Sequence, residues 1–245
     1  MRTWRAEVVR RFPHPGRGFT QGLIADAGTV WESVGGYGAS ALCRFRLGAA
    51  GPERRAALPA RLFAEGICRT GDVIWQLTWK ERVALRWDAR ALELTGQVPY
   101  NREGWGICAA DGFVVTSDGS SELVRRDPQD LGSQAVIHVR AEGRRVQGLN
   151  DLAWSAGKIW ANVAGTDYLA GVDAHSGEVT DIVNARPARE RHLGDPQAIM
   201  NGIAALPGDG EFLLTGKGWR AIRHVRLRHA RDRAARDRLL AGVSR

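Results

Sequence analysis

Five short segments of this chain carry one signature, a distinctive residue followed in most of them by glycine and then by a small apolar run. They are Phe19-Thr-Gln21-Gly22-Leu-Ile-Ala, Phe63-Ala-Glu65-Gly66-Ile-Cys-Arg, Gly104-Trp105-Gly106-Ile-Cys-Ala, Leu149-Asn150-Asp151-Leu-Ala and Met200-Asn201-Gly202-Ile-Ala. The marked residues Gln21, Glu65, Trp105, Asn150 and Asn201 are spaced by 44, 40, 45 and 51 positions. A second apolar strand follows each across a turn, and its landmarks Trp31, Trp75, Val115, Trp160 and Leu213 are spaced by 44, 40, 45 and 53. Two landmarks that step together define a repeat. Apolar/polar alternation resumes later in the units, as at 41–45 and 82–88, and an Asp173-x-x-Ser176-Gly177 turn joins two strands.

A repeat of about 40–50 residues with about four short strands is what a β-propeller blade requires. The chain is therefore expected to be all-β, a five-bladed β-propeller over residues 1–227 with a basic helical or disordered tail at 228–245. Either the opening strand at 5–12 or the strand at 221–227 should complete the last blade, because an open ring leaves unpaired edges. The long step between Asn150 and Asn201 holds a charged, proline-containing stretch at 185–196, read as an inserted surface loop.

Composition supports one large domain: 245 residues, 44% of them hydrophobic, can bury a sizeable core. Cys43, Cys68 and Cys108 have neither pairing number nor CxxC spacing and read as small buried apolar residues. The six histidines show no ligand spacing, so no metal site and no cofactor are expected. Half of the net charge of +8 sits in the tail, where Asp232 and Asp237 interrupt the arginines and no aromatic ring offers a stacking platform. The tail is read as a solvated helix or frayed end, and nucleic acid is not expected as a partner. No apolar run approaches the length of a membrane span, and the first residues hold no apolar export segment. A cytoplasmic location is expected of the sequence as it stands, and a periplasmic or secreted one if its start has been trimmed.

In a propeller the first strand of each blade lines the central channel, so the five marked residues should converge at one mouth. Positions four beyond the second landmarks, Gly35, Trp79, Gly119, Ala164 and Lys217, should form a second ring there. Glu65 stands out. A carboxylate set between Phe63 and a Gly-Ile-Cys strand should be partly buried, which is costly without a purpose or partner. Trp31, Trp75 and Trp160 are assigned to the core, and Asn201 reads equally as a turn residue or a pocket residue.

These same segments resemble the plant and bacterial type of glutaminyl-peptide cyclotransferase. The likeness is carried by Phe-Thr-Gln-Gly-Leu (19–23), Trp-Glu-Ser-Val-Gly-Gly-Tyr-Gly (31–38), Phe-Ala-Glu-Gly (63–66), Gln-Leu-Thr-Trp (76–79) and Glu-Gly-Trp-Gly (103–106). It continues through Ser-Asp-Gly-Ser (117–120), Leu-Asn-Asp-Leu (149–152), Asn-Gly-Ile-Ala (201–204) and Thr-Gly-Lys-Gly-Trp (215–219). The resemblance implies a five-bladed propeller that converts N-terminal glutamine to pyroglutamate without a metal. It places Glu65 as the acid/base. Gln21, Asn150 and Lys217 match polar substrate-binding positions, and Phe19, Phe63, Trp79 and Trp105 match aromatic walls. Asn150 and Lys217 are the candidate donors to the oxyanion, and Asn201 is a further substrate-binding candidate. Two positions depart from the family pattern: Ala164 stands where a pocket tryptophan is usual, and Asp151 where glutamate is common. The implied partners are peptides or proteins with N-terminal glutamine, or free glutamine, handled by a monomer. The residues alone leave open a metal-dependent propeller lactonase, with Glu65, Asn150 and Asn201 on calcium, and a non-catalytic peptide-binding propeller.

Overall fold

The computed structural model describes residues 1–16, 18–190 and 194–241. Residues 191–193 of the expected inserted loop and 242–245 of the tail lie outside these. Strand β1 (Arg2–Pro13) comes first, and the following strands fall into antiparallel groups of four. The first group is β2 (Thr20–Asp26), β3 (Thr29–Val34), β4 (Ala41–Arg46) and β5 (Arg54–Ala57); the second is β6 (Ala64–Thr70), β7 (Val73–Thr78), β8 (Val83–Asp88) and β9 (Leu94–Pro99). The third is β10 (Ile107–Ala109), β11 (Val114–Ser117), β12 (Glu122–Arg126) and β13 (Ser133–His138). A small hairpin, β14 (Arg140–Ala141) and β15 (Arg144–Arg145), precedes β16 (Leu149–Ser155), β17 (Lys158–Val163), β18 (Tyr168–Asp173) and β19 (Val179–Asn184). A 3-10 turn at Arg186–Ala188 leads on to β20 (Met200–Ala205), β21 (Glu211–Gly216) and β22 (Ala221–His229), and α1 (Arg233–Ala241) closes the chain.

The fold is all-β, as the repeat predicts. Both terminal candidates enter the last group, not one: β1 pairs antiparallel with β22, giving the order β20-β21-β22-β1. The other edge of β1 pairs parallel with β19, which fuses the fourth and fifth groups into one eight-stranded sheet. Asp181 reinforces that seam. It accepts from Trp4 Nε1 at 2.8 Å and Arg2 Nε at 2.7 Å and also bonds Lys158. Burial opposes its charge, but these donors outweigh it and hold its pKa down at about 2.

Between neighbouring groups lie apolar layers. Trp31 and Leu42 pack on Ile67, Ile74 and Leu85; Trp75 and Leu77 on Ile107 and Val114; Val115 and Leu123 on Leu149 and Leu152. Trp160 and Leu169 then meet Met200 and Phe212, while Leu213 and Ile222 return to Leu23, Val30 and Phe45 of the first group. All three cysteines are buried and unpaired with one another. The tail helix is not freely solvated: Ala235 and Leu239 are buried in the layer beside the fourth group. Asp232 Oδ1 accepts from Ala235 N at 2.9 Å and caps the helix. No helix among the described residues is long and apolar enough to cross a membrane.

The innermost strands approach very closely. A Cβ on Gly66 would lie 2.6 Å from the Trp105 carbonyl oxygen, and one on Gly106 would lie 2.0 Å from that of Asn150. Glycine is required there by the neighbouring backbone, which has no flexible end to yield. Gly106→Ala is accordingly expected to cost about 1–3 kcal/mol, read as a Tm drop of about 3–10 °C by scanning calorimetry. A Tm within 1 °C of wild type would contradict this packing.

Candidate active site

The starts of the inner strands are irregular. Register shifts fall between Thr20 and Gly22, Ala64 and Ile67, Leu149 and Leu152, and Met200 and Ile203. Gln21, Glu65, Asn150 and Asn201 each lie inside one of these bulges, where the extra residue re-aims its side chain. Trp105 stands just ahead of β10. The bulges thus occur at the repeat's marked positions.

Beside them opens a cavity of about 530 Å³ lined by Phe19, Gln21, Phe63, Glu65, Trp79, Trp105, Asn150 and Lys217, with Pro196, Gln197 and Ile199. Eight of the nine residues expected from sequence therefore meet in one chamber. Asn201 does not line it. It is fully buried behind Gln21, donating from Nδ2 to Gln21 Oε1 at 3.0 Å and to the Thr20 carbonyl at 3.1 Å. Gln21 in turn donates from Nε2 to Glu65 Oε1 at 3.1 Å. Asn201 thus fixes which way the Gln21 amide points, and so which atom it offers to Glu65.

Glu65 is buried, with 5% of its surface exposed. Burial pushes its pKa well above the usual carboxylate range, and Asp151, Glu81 and Glu103 push the same way against the pull of Lys217. Lys217 responds in the opposite sense: burial lowers its pKa, and Glu65 partly offsets this. Its ammonium also lies 4.5 Å from the centre of the Phe19 ring. The turn bearing Lys217 is anchored on several sides. Lys217 N donates to the Ile199 carbonyl at 3.0 Å, Gly218 N to Gly18 at 2.8 Å, and Trp219 Nε1 to Ala198 at 3.1 Å. Beneath it His14 bonds the Trp219 carbonyl through Nδ1 at 2.8 Å and Glu32 Oε1 through Nε2 at 2.9 Å. Burial disfavours the His14 imidazolium, but Glu32 and the Trp219 carbonyl outweigh it and raise its pKa.

The aromatic walls are seated by the second ring. Gly35 leaves room for Phe63, whose ring a Cβ there would approach to 2.5 Å; Gly119, at φ +79°, lies under the Trp105 indole, 2.6 Å from its would-be Cβ. Phe63 packs against Trp79 with centroids 5.5 Å apart, and against Tyr37 at 5.3 Å. Ala164 is not part of the cavity wall. Pro196, Gln197 and Ile199, from the long step before the fifth repeat, also contribute wall; of these the sequence reading assigned only Pro196, at the end of 185–196, to a surface loop. Ile199 stands two residues before Asn201, as Phe19 and Phe63 stand before Gln21 and Glu65, whereas the one signal of Pro196 and Gln197 was the extra length of that step.

Among the described residues no group of three or more His, Cys, Asp or Glu side chains is placed to hold a metal ion. What the chamber offers is a buried carboxylate of raised basicity, an ammonium, three carboxamides and four aromatic faces. That is the equipment of an enzyme for proton transfer on a flat, uncharged group.

The glutamine cyclotransferase family model matches residues 1–227. A glutaminyl-peptide cyclotransferase of Arabidopsis thaliana is 31% identical over 228 residues, covering 90% of this chain and 71% of the plant protein. The crystal structure of Myxococcus xanthus glutaminyl cyclase superposes with a TM-score of 0.87 at 31% identity, covering 94% of this chain and 99% of that one. The chain belongs to the glutamine cyclotransferase family, and it is a glutaminyl-peptide cyclotransferase.

Asp151, adjoining Asn150, is fully buried and accepts from Ile203 N at 2.8 Å. Burial raises its pKa well above the ordinary value, against the backbone N–H groups that favour the charged form. The native state therefore holds a proton that the unfolded chain releases, and this contribution to stability is lost as pH rises from the usual carboxylate range through the raised pKa. Asp151→Asn should flatten the fall of Tm as pH rises above the usual carboxylate range; an unchanged slope would refute the assignment.

Proposed function

We propose that the chamber closes N-terminal glutamine into pyroglutamate with Glu65 as its acid/base, without a metal. The observation that carries this reading is Glu65 itself, buried in the cavity floor and hydrogen-bonded by Gln21. The substrate's α-amine must attack its own γ-carboxamide carbon, forming a five-membered lactam and releasing ammonia. With a pKa of about 7.7–8.0 that amine is mostly protonated at pH 7. The bound ammonium first sheds one proton to solvent; Glu65 then takes a second from the neutral amine as the C–N bond forms and passes it to the departing amide nitrogen, which leaves as ammonia. Glu81 adds negative field that favours the incoming cation. The tetrahedral intermediate places negative charge on the former carbonyl oxygen, where Asn150 and Lys217 are the available donors. Phe19, Phe63, Trp79 and Trp105 enclose the flat side chain and favour the folded-back conformer. Gln21, oriented by Asn201, completes the polar floor. The substrates are peptides or proteins beginning with glutamine, or free glutamine.

The architecture is proposed to be a five-bladed propeller. The inner strands β2, β6, β10, β16 and β20 touch in sequence, and β20 touches β2 again. The five apolar layers follow the same cycle. Residues 1–227 form the catalytic domain in this reading, and 228–245 an appended basic segment.

Glu65→Gln should cut ammonia release from a Gln-Phe dipeptide by at least about a hundredfold, while EDTA leaves wild type unaffected. Release that survives the substitution would remove Glu65 from the mechanism, and loss on chelation would introduce a metal. Because burial lifts the Glu65 pKa, the acid limb of kcat/KM is expected above the usual carboxylate range; a limb at the ordinary glutamate value would contradict the base assignment.

A further inference from the structure

We infer that Glu103 is a positioning residue that sets the separation and tilt of the two indoles in the chamber wall. The inference rests on the chamber being the substrate pocket. Its carboxylate does not line the cavity, yet one oxygen, Oε2, accepts from Trp79 Nε1 at 3.1 Å and from Trp105 Nε1 at 3.4 Å. The two indoles come from different repeats, one at the end of β7 and the other ahead of β10, so Glu103 couples adjacent units at the mouth.

The carboxylate is itself well held. Gly104 N donates to the carbonyls of Thr78 and Trp79, each at 3.1 Å, and a Cβ on Gly104 would lie 2.5 Å from the Thr78 oxygen. The peptide after Glu103 is therefore docked on the end of β7. The adjacent Arg102 is engaged with Asp118 at 2.9 Å and Glu122 at 2.7 Å, which leaves Glu103 to the tryptophans. An indole N–H can only donate. A single acceptor shared by two such donors fixes both ring planes relative to each other, and packing against Phe63 and over Gly119 fixes them relative to the floor. The spacing of the two faces is what selects a planar carboxamide side chain.

The test compares Glu103→Ala and Glu103→Gln with wild type, using Gln-Phe for kinetics and ¹H–¹⁵N spectra for the indole N–H signals, assigned through Trp79→Phe and Trp105→Phe. Glu103→Ala should shift both indole signals and raise KM about tenfold, the scale of one charge-assisted hydrogen bond, with kcat within about threefold. Glu103→Gln keeps an acceptor oxygen and should restore KM to within about threefold of wild type. Unmoved indole signals or an unchanged KM in Glu103→Ala would overturn the inference. A Gln variant as impaired as the Ala variant would do the same, since charge and not orientation would then be the role. Glu103 is only half-buried, and Glu103→Ser reads the same loss should the alanine variant not fold. Failure of the chamber assignment would show separately, as ammonia release surviving Glu65→Gln.

Discussion

Where β2, β6 and β10 each meet the next unit's inner strand, the backbones pass closer than any side chain allows, and much of the structure follows from that approach. Gly66 and Gly106 press against the next unit's backbone, so each unit's position is dictated by the one beside it. The register breaks at Gln21, Glu65, Asn150 and Asn201, while Trp105 stands ahead of a β10 that pairs regularly. Polar side chains that a regular ladder would alternate toward apolar layers are turned instead toward one mouth. The packing constraint and the chemistry are thus consequences of a single geometry.

That geometry is costly in electrostatic terms. Glu65, Asp151, Glu32 and His14 are all buried. Glu32 and His14 compensate each other across a 2.9 Å contact that also supports the Lys217 turn, whereas Glu65 has only an amide donor and a lysine whose own charge is disfavoured by burial. A carboxyl group left so poorly compensated holds its proton more tightly than an ordinary glutamate, which suits it to exchange protons with an amine. Stability has been yielded at Glu65 and recovered one layer below.

Much of this was legible in the chain because the repeat is strict. The step between landmarks found every inner strand, and the marked residue of each repeat found four of the cavity's polar or aromatic walls. Asn201 occupies the same repeat position as the others but supports Gln21 from behind, since equivalence in a repeat fixes the backbone site and not the side chain's exposure. The role of Glu103 was hidden for a related reason: nothing local to it reveals that two indoles from separate repeats converge on one oxygen. Pro196 and Gln197 lie in the extra length of the step before the fifth repeat, which has no counterpart in the other repeats, and periodicity says nothing about a segment that occurs once. The tail looked solvated because its arginines dominate its composition; the two side chains that dock it, Ala235 and Leu239, are a small minority of the segment.

The pairing of β1 with β22 has a consequence for how this protein is made. Strand β1 belongs in the last sheet, beside residues synthesised more than 200 positions later. At about 5–20 residues per second, that strand waits roughly 10–45 s for its partner. Units one to four can assemble in order during that time, but the final sheet cannot, and until it does both of its prospective neighbours present an unsatisfied edge. A nascent chain of this kind is most exposed to misassociation until β22 has been made, and residues 2–13, remote from the chamber in sequence, are the ones on which completion of the last sheet depends.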